Sequence, residues 1–390
     1  MSDMLETALS QLSDFTFGEV PSDEAPGEAE FRAQAATVPS LGPLAAFSGT
    51  FRGSGFNLIF RPDSPVTPTK LPKPVTGSDN VLELNLTNET LSFSKSLGSV
   101  PNRGMVQADA FLNGVPYLQT INDVTVPSQP VGIHFEPGLW MAVPKTTDPA
   151  EGATVVRMAS IPHGTTIVAQ GTSHTITGKP AIPAVDITPT STAPPHGKIP
   201  FPSQTAATGG TARIPQDLTS FIAAGTITQA LLNDPNSFLR NHLASQNVTS
   251  TTVISIATNP AAPLFGGGTD NIAFLLGNAA ASQPNAQTLR MSATFWIETL
   301  EFVINVPIFE PGQPPLIIPA QTGPAGQPVP EFLVNPPIPI KAPRSITVKA
   351  TQIQYSQQVN LNFNTLTWPH VSVATLVPAS PVAIPASAWT

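Results

Sequence analysis

From Leu44 onward the hydrophobic and polar positions alternate. Leu82, Leu84 and Leu86 are separated by Glu83, Asn85 and Thr87, a period of two that marks a half-buried strand rather than a helix. Similar patterns predict strands over 46–60, 107–111, 115–121, 132–143, 154–160 and 165–176. After an interruption they resume over 251–257, 271–276, 289–306, 345–355, 359–363 and 370–376. The interruption holds two helical stretches. Leu218, Phe221 and Ile222 fall at helical spacing between Pro215 and Gly225, and Asp234-Pro235 opens a second stretch carrying Phe238, Leu239 and Leu243 on one face.

Proline sets where the strands stop. The chain has 45 prolines and 27 glycines among 390 residues, and proline can neither donate to a β-ladder nor sit inside a helix. Residues 177–213 and 307–344 are proline-rich with no packing pattern of their own, and read as long loops over the surface. About ten mostly sequential strands predict an all-β fold, an antiparallel up-and-down barrel with long Pro-rich loops and a small helical insertion at 214–246. A β-sandwich of similar strand spacing fits the pattern as well. Residues 1–39 read as an acidic arm with one short helix around 3–12, and 40–390 as a single barrel domain without internal repeat.

Composition narrows the function classes. There are 17 basic and 25 acidic residues, a net charge of −8, and no basic stretch, which argues against nucleic acid as a partner. Charged residues make up 11%, against about 25% in ordinary soluble domains, so the chain must be compact or bury surface in an oligomer. The absence of cysteine excludes disulfides, thiolate metal sites and a cysteine nucleophile. No apolar run reaches the length of a membrane span, and the acidic N-terminus lacks the pattern of a secretory signal. The expectation is a soluble cytoplasmic protein, monomer or homodimer.

Several chemistries find no motif. The six histidines are scattered, with no H-E-x-x-H pair for zinc. No G-x-S-x-G elbow exists, and Gly53-Ser54-Gly55 lies in a strand. Gly266-Gly267-Gly268 is not followed by the helix with Lys-Ser/Thr that a phosphate cradle needs. His163, in a Pro-His-Gly turn, His174 and His196 read as surface residues, and His242 as a packing residue of the second helical stretch.

Four segments, in order, carry a resemblance. Gly49-Thr50-Phe51-Arg52-Gly53-Ser54-Gly55 is similar to an opening strand G-T-[WF]-x-G-x-G, and His134-Phe135-Glu136-Pro137-Gly138-Leu139-Trp140 to a strand H-x-E-x-G-[YF]-[LW]. The stretch from Val155 to Thr165 resembles a strand and turn ending H-P-[TS]-G, with Pro-His-Gly in its place. Trp368-Pro369-His370-Val371-Ser372-Val373-Ala374-Thr375-Leu376 is similar to a C-terminal strand H-x-x-A-x-L. Together they resemble the nitrobindin family, haem-binding calycin barrels related to fatty-acid-binding proteins, over about half the chain.

The resemblance implies a calycin-like barrel holding haem b. It makes His370 the proximal iron ligand, with Ser372 and Ala374 on the same strand face leaving room for a flat macrocycle. It sets His134 near the haem as the candidate catalytic residue, on a face shared with Glu136, Gly138 and Trp140. Trp140 and Arg157 complete the implied cofactor contacts, and Arg52, Arg61 and Arg157 are candidate propionate partners. The implied activities are nitric oxide binding, peroxynitrite isomerisation and weak peroxidase action. A haem-free barrel carrying an apolar small molecule is the alternative, and an enzyme whose pocket is built by the insertions, with 214–246 as a lid, is a third.

Overall fold

Ten antiparallel strands make the wall of this protein. The computed structural model describes residues 37–75, 80–161, 164–261, 266–276, 285–321 and 327–389. The strands are β1 (Gly49–Pro62), β2 (Asn80–Phe93), β3 (Ala110–Asp123), β4 (Val131–Val143), β5 (Thr154–Ile161), β6 (Thr165–Thr177), β7 (Asn247–Ala257), β8 (Gln287–Val306), β9 (Arg344–Phe363) and β10 (Leu366–Pro378). Each pairs antiparallel with its neighbour in this series, and β10 returns to β1, from Phe51↔Pro378 to Leu58↔Val371. The sheet is a closed ten-stranded barrel, so the sandwich alternative falls away. Closure leaves no edge among the ten strands.

Some predicted breaks are absent. Residues 107–111 and 115–121 belong largely to the single strand β3, because Asn113-Gly114 is no turn. The Asn113 amide bonds the Gly98 N–H and the Pro39 carbonyl, and Gly114 sits where a Cβ would meet the Trp140 carbonyl at 2.6 Å. Residues 345–355 and 359–363 are likewise one strand, β9. Its polar middle, Ser356-Gln357-Gln358, reads as a break, yet Ser356 and Gln357 are buried. The predicted strand 271–276 is instead a short helix, Ala273–Leu276, after a brief pairing of Gly268–Asn271 with β6.

Inward-facing side chains fill one end of the barrel. Phe51, Phe93, Tyr117, Trp140, Phe295, Ile353 and Leu376 form that core. The segment before β1 closes it: Leu44 and Phe47 are buried there, with the Phe47 ring stacked on Phe93 at 4.5 Å and edge-on to Trp140 at 5.4 Å. The predicted acidic arm is described only from residue 37, and the helix around 3–12 lies outside the described residues.

The outward faces of several strands are just as apolar. Leu82, Leu84, Phe56, Leu58, Val371 and Val373 pack against a helical layer, not solvent. That layer comprises α1 (Thr219–Ala224), ended by Gly225 at φ 70°, α2 (Gln229–Asn233), capped by the Thr228 hydroxyl, and α3 (Ser237–Leu243). Leu231, Leu232, Leu239 and Leu243 are its buried face, and Ile182, Ile187 and Ala206 of the Pro/Thr-rich segment extend the cover. The second Pro-rich segment is more than a loop. Leu316–Pro319 pairs with Glu331–Val334, which pairs in parallel with Val382–Ala383, around a separate core of Phe309, Phe332, Ile340 and Trp389. No helix among the described residues is long and apolar enough to cross a membrane.

Candidate functional site

The end of the barrel opposite the Phe47 plug is open. A cavity of about 420 Å³ enters the lumen there, within the range of small-molecule pockets. Ile59, Ile121, Ile167, Met291, Val359 and Leu361 line its walls, and Leu275 of the short helix Ala273–Leu276 stands at the rim. Its deeper lining is polar. Asn57, Asn85, Gln119, Tyr355, Gln357 and Ser372 each expose less than a tenth of their surface.

These polar groups sit inside because strand alternation puts them there. On β2 the leucines 82 and 84 face the helical layer, so Glu83, Asn85, Thr87 and Glu89 point into the lumen. On β10 the inward row is His370, Ser372, Ala374 and Leu376, as the spacing predicts. Gly55 on β1 makes room for the row beside it. A Cβ there would lie 2.4 Å from the Val373 carbonyl and 2.6 Å from Glu89 Oε1.

Beneath the cavity runs a buried hydrogen-bond network. Arg157 donates to Glu136 Oε1 at 2.5 Å, to Tyr117 Oη at 2.7 Å and to Gln357 Oε1 at 2.7 Å. Its guanidinium also lies over the rings of Tyr117, Trp140 and Phe295, at 5.4–5.7 Å. Tyr117 donates to Glu136 as well. Burial alone would raise the Glu136 carboxyl, but the Arg157 charge and the bonds from His134 and Tyr117 outweigh it and hold it at about 2. Glu136 is therefore an anion, and Arg157 its cation, both fully enclosed.

A second carboxylate behaves oppositely. Glu89 accepts from Tyr355 Oη at 2.5 Å, Thr87 Oγ1 at 2.9 Å and Gln119 Nε2 at 3.4 Å, yet burial dominates and pushes it up to about 7. Gln119 joins the two halves, since its Oε1 accepts from Arg157 at 3.4 Å and its Nε2 donates to Tyr355 at 3.0 Å.

The structure brings three of the six predicted cofactor residues to this cavity. His134, His370 and Ser372 line it; Trp140, Ala374 and Arg157 do not. Trp140 and Ala374 belong to the packed core below. Arg157 is not at the mouth to meet a propionate: its charge is spent on Glu136 in the interior. Of the other two candidate propionate partners, Arg52 is exposed and does not line the cavity, and Arg61 pairs with Glu83 at 2.7 Å. The helical segment 214–246, predicted as a lid, contributes no residue to the lining and covers the outer wall instead. His242 is buried in that layer, 2.9 Å from Thr375 Oγ1 and 4.3 Å from the Phe238 ring centroid. His174 and His196 are exposed, and His163 lies outside the described residues. The Asn, Gln and Tyr lining was not singled out by the sequence; its one trace is the polar row 83, 85, 87, 89 opposite the leucines.

Could a haem use this set? An axial imidazole needs one nitrogen pair open to iron and usually donates its other N–H to an acceptor. His370 Nε2 lies 2.9 Å from Asn57 Nδ2, which can only donate, so that nitrogen is an acceptor already taken. Asn57 also donates to Ser372 Oγ at 2.7 Å. His134 Nε2 faces Glu136 Oε2 at 3.0 Å. Among the described residues the lining has no lysine or arginine for propionates, and it includes the Glu83 carboxylate. As arranged, the residues do not fit a haem. Among the described residues no group of three or more His, Asp or Glu is placed to hold a metal ion.

No protein-family model matches the chain, and no curated protein matches it. Among solved structures it is similar to one titled "Crystal Structure of Rv2717c from M. tuberculosis", at 10% identity and a TM-score of 0.34, covering 88% of this chain and 98% of that one. A likeness this distant carries no argument about function. What stands on the protein's own geometry is a closed ten-stranded antiparallel β-barrel, plugged at one end and open at the other to an apolar-walled, polar-floored cavity.

Proposed function

We propose that this protein binds a small amphipathic molecule, without iron, in the open end of its barrel. One observation carries the reading: a cavity of about 420 Å³ with aliphatic walls ends on six buried polar side chains. Apolar walls supply affinity in proportion to the area removed from water, and a few fixed polar groups orient the guest. A polar floor with no guest or water would waste hydrogen-bonding capacity in a buried place. The test is direct. Solvent extracts of purified protein, analysed by mass spectrometry, are expected to yield an organic guest. Ile121→Trp, which fills the cavity, is expected to abolish binding of the neutral dye Nile red. Undiminished dye binding by a folded Ile121→Trp variant would defeat the proposal.

A haem reading keeps one observation in its favour, that two imidazoles, His134 and His370, line the same cavity. A bound haem would supply an iron for diatomic or peroxide chemistry, as the nitrobindin resemblance implies. Against it stand the Asn57–His370 bond and the lack of a lysine or arginine among the described lining residues. The two readings separate in one spectrum. A sharp Soret band on haem addition that shifts in His370→Ala would favour the iron-based reading and displace ours.

A further inference from the structure

The charge arrangement below the cavity goes further than a general binding role. Fatty chains are most often presented to proteins as carboxylates, and a site for such a guest needs an uncompensated cation at its polar end. Here the lining, among the described residues, contains no lysine or arginine. The nearest buried cation, Arg157, lies one layer down and is matched by Glu136 at 2.5 Å. A second carboxylate, Glu89, hangs from the lining residues Tyr355 and Gln119. A third, Glu83, stands in the lining itself. An incoming carboxylate would meet Glu89 and the Arg61-paired Glu83, and no unmatched cation among the described lining residues.

The polar atoms left over are neutral, and the orientation of one amide, Gln357, is fixed by chemistry. Gln357 Oε1 must be the atom facing Arg157, because a guanidinium only donates; the Gln357 Nε2 amide is therefore a donor, with no partner among the described residues. Asn85 gives its Nδ2 to Asn57 Oδ1 at 3.4 Å, leaving Asn85 Oδ1 as an acceptor likewise without a described partner. Both residues line the cavity. A spare donor and a spare acceptor, both uncharged, are what a neutral polar group satisfies.

We infer that the cavity selects amphipathic molecules whose polar end is uncharged and both donates and accepts hydrogen bonds, a primary amide or an alcohol, over carboxylates of the same chain. The selectivity rests on the ligand-binding reading above. It arises because Arg157, beneath the floor, is paired internally with Glu136, and the floor offers carboxamides to the guest.

Displacement of Nile red by dodecanamide, dodecanol and laurate at pH 7.5 tests it. The amide and the alcohol are expected to displace the dye at concentrations at least about tenfold below laurate, the scale of one hydrogen bond to a group that would otherwise stay unpaired. Glu136→Gln, which uncovers the Arg157 charge, is expected to narrow the gap between laurate and the amide about tenfold. If that variant does not fold by circular dichroism, Asn85→Leu replaces it, and is expected to shrink the advantage of amide and alcohol at least about threefold. Laurate equal to or better than the amide on the native protein overturns this inference while leaving the ligand-binding role standing. Failure of Nile red and all three amphipaths to bind overturns that role, and the selectivity with it.

Discussion

Gln357 and Arg157 lie 200 positions apart in the chain and meet in the lumen, the guanidinium donating to the amide oxygen at 2.7 Å. That bond turns the other end of the amide toward the cavity and ties the floor of the site to the ion pair beneath. Structure and recognition share these atoms, so substitutions here are expected to change both.

The Arg157–Glu136 pair is wholly enclosed, at 1% and 0% side-chain exposure. Removing one partner leaves the other charge buried and uncompensated, which costs about 3–5 kcal/mol. Arg157→Met is therefore expected to lower unfolding stability by that amount in urea titration. A loss below about 1 kcal/mol would mean that water reaches Glu136.

Glu298, on β8, is fully buried under the helical layer; Gln352 donates to its Oε2 at 2.7 Å and its Oε1 has no partner among the described residues. Burial pushes it up to about 8 from 4.5. Between these values the folded state holds a proton that the unfolded chain has lost, so stability falls as pH rises from about 4.5 to 8 and then levels. Glu298→Gln is expected to remove that contribution, on the order of 2–4 kcal/mol across the window. Melting temperatures at pH 5 and pH 8 measure it. An identical pH slope in variant and native protein would rule it out.

His242 works in the other direction. Burial holds it down at about 4, below the ordinary 6.5, so the unfolded chain takes up the proton first and stability is lost as pH falls from 6.5 through 4. His242→Gln is expected to flatten the acid side of the stability profile. An unaltered acid limb in chemical denaturation between pH 4 and 7 would contradict this.

Gly55 leaves no room for a methyl group, with the Val373 carbonyl 2.4 Å and Glu89 Oε1 2.6 Å from a Cβ placed there. Gly55→Ala is expected to cost about 1–3 kcal/mol through overpacking. It should also weaken ligand binding, because Glu89 must move and carries Tyr355 with it. Native stability and native affinity in the alanine variant would show that the wall yields without disturbing the floor.

Much of the barrel is legible in the period-two rows, which predict about ten mostly sequential strands while splitting β3 and β9 and adding a strand at 271–276. The opposite is true of which face points inward. Leu82 and Leu84 against Glu83 and Asn85 would ordinarily put the leucines in the core and the polar row in water. Here a helical layer buries the leucines from outside, and the polar row becomes the site. No local pattern carries that, because the covering layer comes from residues more than a hundred positions away. The His370 and Ser372 face was readable from spacing alone, whereas the partner that occupies His370, Asn57, depends on β10 closing against β1. Arg157 is a similar case. A lone arginine in a strand says nothing about burial until Glu136 and Tyr117 are known to stand beside it.

The bond between Asn57 and His370 spans 313 positions and bridges the seam where the last long strand meets the first. That wall of the cavity exists only in a chain that has come full circle. A partly folded molecule, however many hairpins it has formed, has an incomplete receptor, and guest binding becomes an assay for the final ring-closing event. Guests would in turn favour the finished ring over every open intermediate, acting as a latch on the last step of folding.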